Sequence, residues 1–375
     1  MPSNLFNPIE LGSTKLENRI GVAPMTRTSG TSEGLVTDQM VSYYSKFARG
    51  GFGLIITEGV YPDNKYSQGY FNQPGIIDAE QVNAWKRVTD AVHQEGGQII
   101  VQLMHAGALS QGNRFTTGSL GPSSVQPKGE QMNFYGGEGA FPLPKEASKK
   151  DIEEIVKGFV DASKRAKDAG FDGIEIHGAN GYILDQFLTD YTNQRTDEYG
   201  GSTENRVRLS VEVSKAVRET VGQDFTVGIR ISQGKVNDFS HKWANKGKDA
   251  EIIFSQLGDA GLDYIHVTEY EAWQPAFPEG EGTEATDSAF GDGGPTLAGL
   301  AKKYGKLLVI ANGGLHDPEK AKEIIENGDA DVVTLARGAL ANRDWVKKVK
   351  NNESLKEFEP EKVLSPDAKI KGFET

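Results

Sequence analysis

The sequence has 375 residues, of which 41 are basic and 53 acidic, so its formal net charge is −12. This acidic balance argues against a nucleic-acid-binding surface or a patch for anionic membranes. The absence of cysteine excludes disulfides, thiolate nucleophiles, zinc–thiolate sites and cysteine-ligated iron–sulfur clusters. No apolar stretch approaches the roughly 20 residues that span a bilayer, and the first residues lack a secretory signal pattern, so we expect a cytoplasmic location.

Eight short runs of apolar and β-branched residues recur along the chain, and each ends in small or polar residues. Several are continuously apolar rather than alternating, which is typical of strands covered on both faces in a parallel sheet. In chain order the runs are RIGVAPM (19–25), GLIITEG (53–59), QIIVQLMH (98–105), DGIEIHG (172–178), TVGIRIS (226–232), DYIHVTE (263–269), LLVIANGG (307–314) and DVVTLARG (331–338).

Amphipathic segments with helical spacing lie between most of these runs. The clearest begins after Ser148, with Asp151 as its capping partner, and stops at Gly170. A similar pattern covers 204–220, and another begins at Asp317 with a proline in the first helical position.

The eight alternations predict an α/β fold, a (β/α)8 TIM barrel that forms a single domain over residues 1–375. A doubly wound open sheet is the alternative. Two insertions, 106–147 and 270–295, follow the third and sixth predicted strands. Since the carboxyl ends of barrel strands form the active-site face, both insertions are candidate lids.

Polar and small residues stand at the carboxyl ends of the predicted strands. Any one of them alone is explained by pairing with a neighbouring group, but their common position favours a functional site. After the last two strands, ANGG and ARGA put glycines and an arginine where such barrels hold phosphate, either of a substrate or of FMN. These strand-end residues are Pro24, Met25, Thr26, Gly59, Gln102, His177, Asn180, Arg230, Asn312, Gly313, Gly314, Arg337 and Gly338.

Several motifs resemble those of the Old Yellow Enzyme family of FMN-dependent oxidoreductases, over nearly the whole chain. The most specific is IHGANGYILDQF followed by RTDEYGG, and LFNPIELGSTKLENRIGVAPMTR, VQLMHAG and LARGALANRDW occur in the family's order. The resemblance implies non-covalently bound FMN, with NADPH or NADH as the transient reductant. It also implies ping-pong hydride transfer through flavin N5 to the activated C=C bond of α,β-unsaturated carbonyl compounds.

The resemblance assigns cofactor contacts residue by residue. Thr26 would bond flavin O4, Gly59 would let the backbone approach the ring, Gln102 would meet the pyrimidine edge and Arg230 would sit at N1 and O2. Ala336 replaces a glycine that is usual in the family, which is tolerable if φ is negative there. The remaining contacts are Ala23, Pro24 and Met25 on one face of the ring, and Asn312, Gly313, Ala336 and Arg337 at the phosphate.

The catalytic roles also follow from the resemblance. His177 and Asn180 would bind the substrate's carbonyl oxygen, and Tyr182 would deliver the proton. Met104 stands where the family carries a residue that faces the substrate, so it would line the substrate pocket. Trp273 is predicted to line the same pocket from its position in the loop after the sixth strand, not from the resemblance. A metal at His177 is not expected, because no second histidine stands at ligand spacing.

Two other functions stay open at this point. The chain could be a flavin-binding redox or stress protein with little turnover. It could also be a flavin-free lyase or isomerase for a phosphorylated substrate, although that chemistry needs a lysine or paired carboxylates, and Glu58 and Glu269 are isolated. The expected partner is a small electrophilic molecule, with neither nucleic acid nor membrane, and a homodimer is compatible with the pattern.

Overall fold

The computed structural model describes residues 4–278 and 294–375, and its centre is a closed barrel of eight parallel strands. Barrel strands follow the order β3-β4-β5-β8-β9-β10-β11-β12. The strands are β1 (Ile9–Leu11), β2 (Thr14–Leu16), β3 (Ile20–Val22), β4 (Leu54–Val60), β5 (Gln98–Leu103), β6 (Leu120–Gly121), β7 (Lys145–Glu146), β8 (Gly173–Asn180), β9 (Thr226–Lys235), β10 (Tyr264–Thr268), β11 (Leu308–Asn312) and β12 (Val332–Leu335).

Helices surround the barrel and connect its strands. The α-helices are α1 (Asp38–Arg49), α2 (Ala79–Gln94), α3 (Lys149–Asp168), α4 (Ile183–Leu188), α5 (Thr203–Val221), α6 (Gly247–Gly258), α7 (Leu297–Gly305), α8 (Pro318–Glu326), α9 (Arg337–Ala341), α10 (Trp345–Lys350) and α11 (Pro360–Leu364).

The first and last barrel strands pair directly, with Ile20 opposite Val333, and the backbone N–H of Ala23 donates to the carbonyl of Leu335 at 2.9 Å. This closure confirms the predicted (β/α)8 barrel, and the open-sheet alternative is wrong. At the amino end of the barrel, Leu11 and Leu16 of the β1–β2 hairpin pack into the inner core. The hairpin therefore covers that end, and the opposite end is left for the site.

The predicted helix boundaries agree closely with the structure. Ser148 and Asp151 form a reciprocal capping box at the start of α3, and Gly170 follows the helix with φ +81°. Asp317 caps α8, which has proline in its first turn.

Strands β8 and β9 run further than their sequence patterns indicated. They continue to Asn180 and Lys235, which are paired, after a register shift between Gly178 and Asn180. The extra residues are polar, glycine or alanine and lack the apolar pattern of a strand, so pattern alone ends both strands early. The extension lifts Asn180 above the barrel mouth.

Residues 106–147 contribute the short β6–β7 pair and a segment, 129–135, that lies over the barrel mouth. Of the other predicted lid, 270–295, residues 279–293 lie outside the described residues. Over 4–278 and 294–375, no helix combines the length and apolar character needed to cross a membrane. The single domain and the cytoplasmic location stay predictions.

Candidate active site

A cavity of about 730 Å³ opens at the carboxyl end of the barrel. Strand ends form its floor, and the 129–135 segment and two apolar residues near the carboxyl end of the chain, Phe358 and Leu364, form part of its wall. It brings together predicted site residues from five strands, namely Pro24, Met25, Thr26, Gln102, His177, Asn180, Tyr182, Arg230, Ala336 and Arg337.

His177, on β8, is a neutral hydrogen-bond donor at this cavity. Its Nδ1 accepts the backbone N–H of Ala179 at 3.3 Å, so the ring hydrogen is on Nε2. Burial, together with the charge of Arg230, holds the pKa of His177 well below its usual range. A buried neutral imidazole suits a carbonyl oxygen, to which it can donate without adding a full charge.

Asn180 adopts the left-handed conformation, with φ +61°. Its backbone is fixed on both sides by the extended end of β9, because its N–H donates to Ser232 Oγ at 2.8 Å and its carbonyl accepts from Val236 N at 3.1 Å. Its side-chain amide lines the cavity and makes no hydrogen bond within the described residues. The amide is therefore available to a ligand, on the same turn as His177.

Tyr182 places a protonated phenol beside these two donors. Its ring meets that of His177 edge-on, with centroids 4.9 Å apart, and its hydroxyl lies 2.6 Å from that of Tyr70. Burial raises the pKa of Tyr182 to about 12, against the opposing effect of the Tyr70 hydrogen bond. The phenol therefore keeps its proton at neutral pH. Tyr70 in turn contacts the ring of Tyr135, with centroids 4.5 Å apart.

The turn that carries Asn180 and Tyr182 is held from beneath by α4. Asp185 accepts the N–H of Gly181 at 2.7 Å and pairs with the buried ammonium of Lys235. Gln186 donates to the carbonyl of Gly181 at 2.7 Å. These supports were not predicted, although a carboxylate within the apolar ILDQFL helix is a signal that could have identified Asp185.

Arg230 projects from β9 into the floor of the cavity. One terminal nitrogen donates to Asn312 Oδ1 at 2.8 Å, whereas Nε is buried and has no hydrogen-bond partner among the described residues. Burial lowers the pKa of Arg230 to about 10, so the side chain remains a cation at neutral pH. An unpaired buried donor on a cation fits a ligand with an acceptor edge, such as the N1 and O2 atoms of a flavin.

Glu175 supplies the counter-charge and was missed as a site residue. It accepts hydrogen bonds from Gln102 Nε2 at 2.8 Å, from Tyr264 at 3.1 Å and from His266 Nδ1 at 2.8 Å. Burial raises the pKa of Glu175, but His266 and Arg230 outweigh burial and bring it below its usual value. Because Glu175 holds the amide nitrogen of Gln102, the Gln102 carbonyl oxygen is left as an acceptor, which fits the N3–H of a flavin.

The side chain of Asn312 links Arg230 to the neighbouring strands. Its Oδ1 accepts from Arg230 and from Thr268 at 2.9 Å, and its Nδ2 donates to the carbonyl of Thr334 at 2.8 Å. The amide thus helps to orient Arg230, through contacts across three strands that sequence spacing does not reveal. Asn312 also lines the small pocket formed by the loops after β11 and β12, so its contact with a phosphate stays a prediction.

The loops after β11 and β12 line a second, connected pocket of about 130 Å³. Gly313 has φ +137°, and a Cβ there would lie 2.1 Å from the carbonyl oxygen of Glu269, so only glycine fits. Ala336 has φ −100°, which confirms that alanine is tolerated in place of glycine. Gly313, Ala336 and Arg337 all line this small pocket, which fits a phosphate.

Two predicted substrate contacts, Met104 and Trp273, and the predicted flavin contact Gly59 do not line the main cavity. Met104 is buried in a cluster with Tyr70 and Tyr182 and is not among the described residues that line the main cavity. A Cβ on Gly59 would lie 2.5 Å from Met104 Sδ, so Met104 itself requires glycine at this position. Trp273 packs against Gly314, at the phosphate end, because its loop folds back over β11.

Neither prediction of a substrate contact, for Met104 or for Trp273, is therefore supported by position. Thr26 does line the cavity, and its hydroxyl has no partner within the described residues. In the described part of the chain, no cluster of three or more His, Asp or Glu side chains could hold a metal ion.

With this geometry in place, residues 4–356 match the family model described as the NADH:flavin oxidoreductase / NADH oxidase family. The chain belongs to this family. The NADH oxidase of Thermoanaerobacter brockii is 35% identical over 350 residues, which cover 92% of this chain and 50% of that protein. The chain thus spans about half the length of that relative.

Two further comparisons cover nearly the full length of both partners. The "Probable flavin mononucleotide-dependent alkene reductase" of Leishmania infantum is 34% identical over 350 residues, 91% of this chain and 89% of that protein. The solved structure of an Old Yellow Enzyme homologue from Zymomonas mobilis superposes with a TM-score of 0.82 at 30% identity, over 95% of this chain and 94% of that one.

These findings confirm the Old Yellow Enzyme resemblance. The protein is an FMN-dependent oxidoreductase of the NADH:flavin oxidoreductase family, whose members use NADH or NADPH and include alkene reductases. A flavin-free lyase or isomerase is incompatible with this membership.

Proposed function

We propose that this enzyme reduces the activated C=C bond of α,β-unsaturated carbonyl compounds at the cavity that holds His177, Asn180 and Tyr182. The observation that carries the proposal is the juxtaposition of two neutral hydrogen-bond donors with a protonated phenol. Such a set suits a reaction in which a carbonyl oxygen gains charge and a neighbouring carbon gains a proton.

FMN would be held by residues from several strand ends. The orphaned Nε of Arg230 and the free carbonyl of Gln102 fit the pyrimidine edge, and Thr26 offers a hydroxyl at the same cavity. Gly313, Ala336 and Arg337 fit the phosphate. When bound, FMN supplies two-electron chemistry, accepting hydride from NADH or NADPH and passing it to the alkene.

His177 and Asn180 would hold the carbonyl oxygen of the substrate. Donors aimed at an oxygen stabilise the negative charge that develops there, and loss of one such donor typically costs about 10²–10³ in rate. The neutral state of His177 allows it to donate over a wide pH range, because burial keeps its pKa well below the usual value.

Tyr182 would deliver the proton to the carbon next to the carbonyl. A positioned general acid contributes about 10²–10⁴ in rate. The hydroxyl of Tyr70, 2.6 Å away, can donate a hydrogen bond to the Tyr182 oxygen and so stabilise the phenolate that forms when Tyr182 gives up its proton.

The outer wall of the cavity is apolar, which favours substrates with an apolar substituent on the enone. Phe239 lines the cavity with 84% of its surface exposed, and Phe134 of the 129–135 segment lines it as well. The other apolar wall residues are Met132, Val236, Leu340, Phe358 and Leu364.

The test is stopped-flow kinetics of the FMN-loaded protein with NADPH and 2-cyclohexenone. We expect Tyr182→Phe to slow oxidation by the enone by about 10²–10⁴ and to leave reduction by NADPH near the wild-type rate. Tyr199→Phe is the matched control, because its hydroxyl bonds Glu212 at 2.9 Å in a half-buried loop and it does not line the cavity.

An unchanged rate of oxidation in Tyr182→Phe would refute the role of Tyr182. If the wild type itself is reduced by NADPH but turns over neither 2-cyclohexenone nor other enones, the protein is a flavin-binding redox protein of little turnover. A cytoplasmic location and a homodimer remain part of this proposal.

A further inference from the structure

The peptide bond between Thr26 and Arg27 is held at both of its polar atoms. The carbonyl oxygen of Thr26 accepts from the Tyr135 hydroxyl at 3.0 Å. The N–H of Arg27 donates to Glu58 Oε2 at 2.9 Å, and the same oxygen accepts from the N–H of Thr28 at 3.0 Å. Because a peptide unit is planar, fixing both ends fixes its orientation and that of the residue it follows.

Glu58 holds the N–H side of this peptide bond, and burial and hydrogen bonds hold Glu58 in turn. Its side chain is fully buried at the end of β4, and its own backbone N–H donates to the Tyr44 hydroxyl at 3.0 Å. The side chain of Arg27 points the other way, where both of its terminal nitrogens meet the carboxylate of Glu374 at 2.7 and 2.5 Å. Thr28, with φ +43°, completes a tightly held turn.

The anchor on the other side, Tyr135, comes from the 129–135 segment. Its ring contacts that of Tyr70, whose hydroxyl lies against Tyr182. One residue of the insertion thus touches both the backbone of Thr26 and the aromatic pair behind the proton donor. Burial raises the pKa of Tyr135, so its hydroxyl keeps the proton that it donates.

We propose that Tyr135 and Glu58 are positioning residues that clamp the Thr26–Arg27 peptide and so set how the Thr26 hydroxyl meets the flavin. The inference rests on the proposed contact between Thr26 and the flavin ring. It gives the 129–135 segment a second role besides enclosing substrate, since the reactivity of the flavin then depends on the position of that segment.

The experiment compares Thr26→Val, Tyr135→Phe and the double variant as FMN-loaded proteins. The readouts are the midpoint reduction potential of the bound flavin, its visible absorption spectrum, and the dissociation constant for FMN obtained by titrating apoprotein. Tyr135→Phe keeps the ring and removes only the donor, and we expect about a 2- to 10-fold loss of FMN affinity for one hydrogen bond. Tyr199→Phe again serves as the control and should match wild type.

We expect the potential in Tyr135→Phe to move in the same direction as in Thr26→Val, and the double variant to show no further shift. Coupling of this kind is the signature of two residues that act through one contact. Glu58→Met, which removes the acceptor for both N–H groups, should move the potential in the same direction.

The outcomes separate the two proposals. If Thr26→Val leaves the potential and the spectrum unchanged, the contact between Thr26 and the flavin is refuted, and the clamp with it. If Thr26→Val shifts them but Tyr135→Phe and Glu58→Met do not, or if the shifts of Tyr135→Phe and Thr26→Val simply add, only the clamp is refuted. Should one of the variants Tyr135→Phe and Glu58→Met bind no FMN, the other decides.

Discussion

The ammonium of Lys235 lies 2.8 Å from one carboxylate oxygen of Asp185 and 2.9 Å from the other, and both side chains are buried. The same carboxylate accepts the N–H of Gly181, the residue between Asn180 and Tyr182. An ion pair closed off from water therefore supports the turn on which the proposed catalytic side chains stand.

Lys235→Met should be strongly destabilising, because it leaves the Asp185 carboxylate buried without its counter-charge. Breaking a buried pair in this way typically costs about 3–5 kcal/mol in the free energy of unfolding, measurable by urea denaturation. Lys15→Met is the control, since Lys15 and Glu10 are both mostly exposed and such pairs contribute about 0–1 kcal/mol. Equal losses in the two variants would contradict a structural role for the buried pair.

The stability of the protein should depend on pH through Glu58. Burial raises the pKa of Glu58 from 4.5 to about 7. The folded state therefore binds this proton more tightly than the unfolded chain, so the contribution is fully present below about pH 4.5 and is lost as the pH rises to about 7. The free energy of unfolding of wild type relative to Glu58→Gln should fall by about 3 kcal/mol at most across that window.

Urea denaturation of wild type and Glu58→Gln between about pH 3 and pH 8 measures this difference and also covers the range in which Glu374 titrates. Glu374→Gln supplies a control of opposite sign: burial raises the pKa of Glu374, but Arg27 brings it below its usual value overall. Its contribution is present above the unfolded pKa and is lost as the pH falls. A difference between wild type and Glu58→Gln that stays constant with pH would rule out the raised pKa.

Gly59→Ala tests whether glycine is needed for Met104 alone or also for the flavin. The new Cβ would lie 2.5 Å from Met104 Sδ, and forced overpacking typically costs about 1–3 kcal/mol. In a Met104→Ala background the same change should cost much less stability. If the backbone also approaches the flavin ring, FMN affinity falls in both backgrounds; if affinity recovers with Met104→Ala, the glycine serves packing only.

Trp273→Ala should weaken FMN binding rather than alter substrate preference. The indole packs against Gly314 and lies 5.5 Å from the ammonium of Lys320, at the phosphate end of the site. Without the indole, the loop that contains Gly313 and Gly314 loses this packing contact. We therefore expect the dissociation constant for FMN to rise several-fold, with KM for 2-cyclohexenone unchanged. A changed KM with intact FMN affinity would restore the original prediction of a substrate contact.

Much of the architecture was accessible from the sequence because each of its signals is local. Strands covered on both faces give continuous apolar runs, and helix ends carry their own caps, as at Ser148 and Asp317. The site residues at strand ends, such as His177 and Arg230, were accessible because all barrel strands present their carboxyl ends on one face.

The supports of the site were inaccessible because they depend on partners distant in sequence. Asp185 and Lys235 are separated by 50 positions, and Tyr135 meets Thr26 across 109. Tyr70 and Tyr135 stand in loops without periodicity, so nothing in their neighbourhood marks them as site residues. The contact of Asn312 with Arg230 was inaccessible as well, because spacing reveals where a side chain starts but not which way it turns.

Strands β3 and β12 pair at the seam that closes the barrel, and this seam has a consequence for the synthesis of the protein. Arg19, just before β3, bonds the carbonyl of Asp331, 312 positions later in the chain. During translation the first barrel strand must therefore wait, without its neighbour on one side, until nearly the whole polypeptide has left the ribosome. Thr26 lies on one side of this seam, and Ala336 and Arg337 lie on the other. A nascent chain that lacks β12 would lack Ala336 and Arg337 of the proposed FMN site, so we expect cofactor capture to follow synthesis rather than to accompany it.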